Sequence, residues 1–293
     1  MGVIGAIIGD IAGSKYEFSK KHPKYIPNQP LTLDESFNYS DDTVLSIAVV
    51  EALNTDGDFE KAYVKYGKLY PAAGYGFGFQ KWLNGYSTFY GKTIHELLER
   101  YLKESPNDNL RKPYNSYGNG SAMRCSYIGE YYKNTSDYTR VESMAEKSAE
   151  CTHNHPEGIK GAIVEAMCVW LAEQGKTKDY ILNYGISQYP CSKYKYGCDI
   201  PVKQYAGKMT FHETCQDSVP VAIRCFYDTD SFEDCLNLVN SMNCDTDTIG
   251  AIAGAICHSY YKKCMDNDNE ILSKYLDQNL YNILVKYEVI KIS

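Results

Sequence analysis

NCDTDTIGAIAGAI, residues 243–256, joins two kinds of sequence that seldom meet. Two aspartates and two threonines alternate, and then every charge gives way to Ile, Ala and Gly. In a helix from about 247, Gly250 and Gly254 fall on one face, and a bare backbone there admits another helix at close range. Such packing draws Asp245 and Asp247 into the interior. Capping accounts for one carboxylate at a helix start. It does not account for two, which repel one another unless a cation lies between them. Carboxylate and hydroxyl oxygens suit a hard divalent cation, and no His lies nearby, only Cys244, so zinc is the poorer match.

A second start of the same kind is SDDTVLSIAVV, 40–50, where Ser40, Asp41, Asp42 and Thr43 precede an apolar run. Taken alone, it reads best as an N-cap with acids at the positive end of the helix dipole. Two acid-Thr starts in one chain point instead at a common site. Buried together, Asp41, Asp42, Asp245 and Asp247 are untenable without cations, so one or two Mg²⁺-like ions are expected.

Three weaker signals lie elsewhere. In GDIAGSKYE, 9–17, Asp10 and Glu17 flank a glycine-containing helix end, and either serves equally well as a surface or loop acid. NSYGNGSAMR, 115–124, has glycines at 118 and 120 that permit close backbone approach before a helix whose N-terminus can hold an anion. By itself it is only a turn pattern. In THNHPEG, 152–158, the histidine spacing matches no zinc signature, and Pro156 reads as the first helical residue. His153 is then a hydrogen-bonding pocket residue and His155 a structural one. DNDNE, 266–270, opens like a calcium loop but lacks its glycine and distal Glu, so it reads as a solvated helix start.

The chain has 293 residues, 44% of them hydrophobic, and a formal net charge of −7. It can build a large core, and its charge argues against a generic nucleic-acid or acidic-membrane binder. The apolar N-terminus has no basic region and meets Asp10 early, so it reads as a mature helix rather than a signal peptide. The longest uncharged apolar stretch, 249–261, is too short to span a bilayer. Eleven cysteines without a C-x-x-C pair fit reduced thiols in a cytoplasm, where the sequons at Asn38, Asn119 and Asn134 carry no meaning.

Helical periodicity dominates, over 2–13, 42–54, 58–69, 93–103, 138–151, 157–174, 218–227, 231–241, 247–263 and 269–285. Polar interruptions fall at 19–40 and 184–213, and only YEVIKIS at the end reads as weakly extended. No repeat or composition break marks a boundary. The expectation is all-α: a single compact orthogonal helical domain, 1–293, with a central metal-containing cleft.

Together these stretches resemble the ADP-ribosylglycohydrolase family, the dinitrogenase reductase-activating glycohydrolase type among its members. The ordered set runs from GAIIGDIAGSKYE through SDDT, GYGFGFQKWL (74–83), SYGNGSAMR, THNHPEGIKGA and CQDSVPVAIRCF (215–226) to DTDTIGAIAGAI. The resemblance implies an all-α fold holding two Mg²⁺ (or Mn²⁺) ions, with Ser40, Asp41, Asp42, Asp245, Asp247 and Thr248 as metal ligands. It implies Glu17, Asp42 and Asp247 as catalytic residues, Glu17 as the proton-transferring acid or base. Ser116, Tyr117, Gly118, Asn119 and Gly120 match the loop for the diphosphate and adenosine side of ADP-ribose. His153 matches a pocket histidine, and Gly74, Gly76 and Gly78 a glycine loop facing the ligand. The implied activity is metal-dependent hydrolysis of the N- or O-glycosidic bond at the anomeric carbon of ADP-ribose. Its substrate is an ADP-ribosylated protein or an ADP-ribose-containing small molecule, handled by a cytoplasmic monomer away from membranes. Two departures stand out. Ser40 replaces the usual Thr, keeping the hydroxyl, and Asn243-Cys244 replaces a common Gly-Gly, which is expected to narrow the cleft.

Two rival readings remain at this stage. One is a catalytically silent ADP-ribose-binding or structural relative, against which every acidic position is retained. The other takes DTD as a nucleotide-sugar glycosyltransferase motif, which needs a preceding strand where CLNLVNSMN looks helical.

Overall fold

The computed structural model describes residues 2–85 and 111–291 of the chain. Its architecture follows from one close crossing. The first helix, α1 (Gly2–Ser14), is buried along almost its whole length and packs antiparallel against α11 (Thr246–Tyr261). A Cβ on Gly5, Gly9 or Gly13 would overlap the backbone of Gly254, Gly250 or Thr246 respectively, and one on Gly250 or Gly254 would strike Gly9 or Gly5. The i, i+4 glycines of both helices therefore let two backbones touch, as the spacing of Gly250 and Gly254 suggests. Close contact fixes the axial register, and so fixes which residues of α1 lie beside the start of α11.

Around this pair stand α2 (Asp41–Leu53), α3 (Phe59–Leu69), α4 (Phe77–Leu83), α5 (Ser126–Tyr131), α6 (Tyr138–Glu150), α7 (Pro156–Glu173), α8 (Lys178–Gln188), α9 (Cys215–Asp228), α10 (Phe232–Asn240), α12 (Asp268–Tyr275) and α13 (Gln278–Lys286). No strand occurs among the described residues, so the all-α expectation holds and the strand-requiring glycosyltransferase reading falls.

Several boundaries differ from those expected. α4 and α8 were not anticipated as helices, and α8 occupies the front of the region read as polar loop. The single helix expected over 269–285 is two, because the Asp277 side chain caps a new start by accepting the N–H groups of Asn279 and Leu280. The terminal segment from Tyr287 to Lys291 is turn and bend rather than extended strand. The expected helix at 93–103 lies outside the described residues.

The polar 19–40 segment has no helix, as expected, and is tied down by the first-turn acids of α10. Asp234 accepts the Tyr25 hydroxyl and the Asn28 N–H, and Glu233 accepts the Leu31 N–H. All eleven cysteines are free thiols. No helix among the described residues is long and apolar enough to cross a membrane.

Candidate functional site

The α1–α11 register sets Asp10, fully buried, near the start of α11, and the packing of α1 on α2 brings it to the start of α2 as well. Its carboxylate accepts the Ser40 N–H (2.9 Å) and hydroxyl (2.8 Å), and the Thr43 N–H (3.1 Å) and hydroxyl (2.5 Å). Ser40 caps α2 by accepting the Asp42 N–H at 3.2 Å, so the cap reading of this stretch is correct as far as it goes. At the other helix start, Asp245 makes no capping bond; its Oδ2 accepts from the Asn119 side chain at 2.7 Å. The Thr248 hydroxyl donates to Asp42 at 3.2 Å and links the two starts directly.

The acids converge. Carboxylate oxygens of Asp10, Asp42 and Asp247 lie within 4.8 Å of one another, and so do those of Glu17, Asp245 and Asp247. Asp247 belongs to both triads. Burial, followed by the charge of Asp247, pushes the carboxyls of Asp41, Asp42 and Asp245 well above the usual carboxylate range. The same causes raise Asp10 to about 7 and Glu17 to about 9. One buried oxygen, Oδ1 of Asp42, has no hydrogen-bond partner among the described residues. Oxygen-only donors, mutual repulsion and an orphaned carboxylate oxygen together fit hard divalent cations.

The opposite wall is the 115–124 loop. Asn119 donates its side-chain N–H groups to Asp245 and Ser218, and its backbone N–H to Glu213, which fixes the loop over the acids. Beneath it Arg124, with no exposed surface, donates to the Ser148 carbonyl and the Thr152 hydroxyl and sits 4.0 Å over the Tyr63 ring. Thr152 meets His153 Nδ1 at 2.7 Å. The Ala149 carbonyl accepts the N–H groups of Thr152 and His153, and the Thr152 hydroxyl also donates to it at 3.4 Å. Burial, and secondarily Arg124, hold the imidazole well below its usual pKa, so the His153 ring is neutral. Gly118 and Gly120 pack on it: a Cβ at either would stand 3.6 or 3.3 Å from Nε2.

These walls enclose a cleft of about 460 Å³. Glu17, Asp41, Asp42, Asp245, Asp247 and Thr248 line one side, and Ser116, Gly118, Asn119, Gly120 and His153 the other. Gly74, Gly76 and Gly78 close the third. Two expected site residues stand apart from the cleft lining. Ser40 lies behind Asp41 and Asp42, hydrogen-bonded to Asp10, and Tyr117 faces outward beside His155 and lines an adjoining groove with Phe211 and Glu213. His155 caps α7 through Nδ1, the structural part read for it.

Asn243-Cys244 does not narrow the cleft. The Cys244 thiol points to the Val239 carbonyl and Asn243 donates to the Met209 carbonyl, so both side chains turn away. Sequence reasoning also undervalued Asp10, and it missed Lys81, Phe77, Tyr114 and Glu213 as cleft residues. The available signal for Asp10 was a lone acid inside an otherwise apolar, glycine-spaced helix.

Fold and site thus define a helical protein whose buried carboxylates open on a cleft walled by glycine loops. The ADP-ribosylglycohydrolase family profile matches residues 1–262, and the chain belongs to this family. It is 26% identical to ADP-ribosylhydrolase ARH3 of Homo sapiens, over 88% of this chain and 83% of that protein. It is 24% identical to the ADP-ribosyl-[dinitrogen reductase] glycohydrolase of Rhodospirillum rubrum over the same shares. A solved ADP-ribosylglycohydrolase-related protein complex shares the fold with a TM-score of 0.61 at 17% identity, covering 96% of this chain and 97% of that one.

Proposed function

We propose that the chain, as one domain over residues 1–293, hydrolyses the N- or O-glycosidic bond at the anomeric carbon of ADP-ribose. The released ADP-ribose comes from a modified protein or small molecule, and the protein acts as a cytoplasmic monomer. The observation that carries this reading is the second triad: the oxygens of Glu17, a half-buried acid at the cleft edge, lie within 4.8 Å of those of Asp245 and Asp247.

Asp41, Asp42, Asp245 and Asp247, with the Thr248 and Ser40 hydroxyls, would hold two Mg²⁺ (or Mn²⁺), which when bound offset the acids' repulsion and favour ordered ribose hydroxyls and water. The chain's own residues supply the rest. Bond cleavage at an anomeric carbon passes through an oxocarbenium-like state, so a group that moves a proton to the leaving atom or from water lowers the barrier. Glu17, at the cleft edge beside Asp245 and Asp247, is placed to give a proton to the leaving group, then take one back from water. Asp42 and Asp247 fix the ribose end of the cleft. The glycine loops at 74–78 and 118–120 let the diphosphate approach backbone, and the neutral His153 ring packs behind the second loop without adding charge. The apolar α11 makes a rigid floor, so the acids at its start keep their positions through the reaction.

The test is incubation with a panel of ADP-ribosylated substrates linked through Arg, Ser, other side chains, a nucleobase or a small molecule. Free ADP-ribose is read with divalent metal and with chelator. Release that requires metal supports the reading. Tight ADP-ribose binding with no release from any substrate defeats it in favour of a silent binder.

A further inference from the structure

We infer that His258, Cys264 and Asp268 form a second metal site, for a borderline-soft divalent cation of the zinc class, at the joint between α11 and α12. One ring nitrogen of His258, the sulfur of Cys264 and one carboxylate oxygen of Asp268 all lie within 4.8 Å of one another. Ligand atoms around a tetrahedral zinc ion sit about 3.5 Å apart, given metal–ligand distances near 2.0–2.3 Å. Side-chain rotation on the order of 1 Å closes the difference.

The joint is built to bring them together. His258 occupies the last turn of α11, and Lys262 then reverses the chain in the left-handed region, at φ 59°, with its N–H on the His258 carbonyl. That reversal carries Cys264 back over the helix end. Asp268 opens α12, and its Oδ1 accepts the Met265 N–H at 2.8 Å, which folds the loop between the two ligands. The stretch 266–270, expected to be a solvated helix start, is therefore engaged through Asp268, which is half-buried.

The donor set distinguishes this cluster from the cleft. The cleft acids offer oxygen alone, whereas nitrogen, sulfur and oxygen here match zinc or cobalt and match magnesium poorly. The two sites lie on one helix, eleven residues apart from Asp247 to His258, or roughly 16 Å along the axis. Three other buried cysteines spend their thiols on backbone carbonyls: Cys125 on Ala122 and Ala162, Cys215 on Gly118, and Cys198 on Pro220. Among the described residues, Cys264 is the one cysteine that shares a cluster with other metal-ligating side chains. His258 and Cys264 are 4% and 5% exposed, so the ion enters from the Asp268 side, where water completes its coordination. Coordination releases the Cys264 thiol proton to solvent, and the bound ion pins the end of the cleft's floor helix to α12. This inference does not depend on the hydrolase reading.

The test is Co²⁺ titration of the intact chain after its metals are stripped with chelator and removed. One equivalent is expected to produce thiolate-to-cobalt charge-transfer absorption, which Zn²⁺ abolishes. Asp247→Asn and Cys244→Ala keep the band, whereas Cys264→Ser loses it with helical circular dichroism unchanged. No band in the wild type, or a band that survives Cys264→Ser, overturns the proposal. Should Cys264→Ser fail to fold, Asp268→Asn decides: its Co²⁺ midpoint rises on the order of tenfold or more, and an unchanged midpoint overturns the site.

Discussion

The Asp10 carboxylate, buried on α1, receives both the backbone N–H and the hydroxyl of Thr43, at 3.1 and 2.5 Å. Ser40 makes the same pair of bonds to it. Asp10 thus holds the turn from which Asp41 and Asp42 enter the cleft. Asp10→Ala strands these donors but also relieves repulsion with Asp247, so a net loss of about 1–3 kcal/mol is expected. Its distinctive effect is on the acids it positions. The rise in melting temperature on adding Mg²⁺ should shrink, as read by thermal unfolding with and without the ion. An undiminished rise would remove Asp10 from the site's support.

The glycine crossing gives a second prediction. A Cβ on Gly9 would overlap the backbone of Gly250, and neither backbone can retreat without moving α1 off α11. Gly9→Ala should lower stability by at least about 2 kcal/mol, the cost of overpacking, and weaken ADP-ribose release with it. Gly207→Ala, where a Cβ meets open space, should change stability by less than about 0.5 kcal/mol. Equal melting temperatures for the two variants would contradict the crossing.

Acid accumulation makes the metal-free protein sensitive to alkali. Asp10, ordinarily near 3.8, is raised to about 7, and Glu17, ordinarily near 4.5, to about 9, by burial first and Asp247 second. Between their ordinary and raised values the folded chain binds more protons than the unfolded chain, so stability falls as pH rises through that window. In chelator, the melting temperature should decline from about pH 5 to about pH 9. Saturating Mg²⁺ should flatten the decline, since a cation among the acids stabilises their charged forms. A melting temperature independent of pH in chelator would speak against a buried acid cluster.

His153 offers a test of the far wall. Thr152→Val removes the hydroxyl hydrogen-bonded to Nδ1, and with it the contact that sets the ring's tautomer and orientation. Binding of ADP-ribose, measured by calorimetry, should weaken by roughly tenfold, the worth of one hydrogen bond to a charged group. The buried Arg124 also loses an acceptor, so about 1–3 kcal/mol of stability should go too. Unchanged affinity in the folded variant would place His153 outside ligand recognition.

How much of this was legible in sequence depended on whether the signal was local. Gly250 and Gly254, four apart behind an acid pair, announced both a close-packed helix and a buried site. The two acid-Thr starts and the glycine loop at 118–120 likewise carry their chemistry within a few residues. Asp10 was ambiguous because its partners, Ser40 and Thr43, lie some thirty residues away and meet it only through the packing of α1 on α2. The split between α12 and α13 was hidden for the same reason. Asp277 caps α13 and also accepts the hydroxyls of Tyr39 and Tyr70, contacts that no helical periodicity records. Asn243-Cys244 misled because side-chain size says nothing about direction; the Cys244 thiol meets the Val239 carbonyl and Asn243 the Met209 carbonyl.

Asp247 joins the two carboxylate triads, so its charge tests the site as a whole. Asp247→Asn keeps size and hydrogen-bonding capacity while deleting the charge, which separates electrostatics from packing. An ion that binds only the native state stabilises it by mass action, so Mg²⁺ should raise the wild-type melting temperature. In Asp247→Asn that rise should shrink. ADP-ribose release should fall at least on the order of 100-fold, beyond the loss typical of a partner that merely orients a ligand. An ordinary capping residue behaves otherwise: its removal costs about 1 kcal/mol and leaves the metal response intact. Helical circular dichroism of the variant should match the wild type, because Thr248 and Asn119 continue to tie the two walls to Asp42 and Asp245. If chelator leaves both wild-type activity and melting temperature unchanged, the acid-Thr starts hold no ion, and the hydrolytic mechanism argued from them fails.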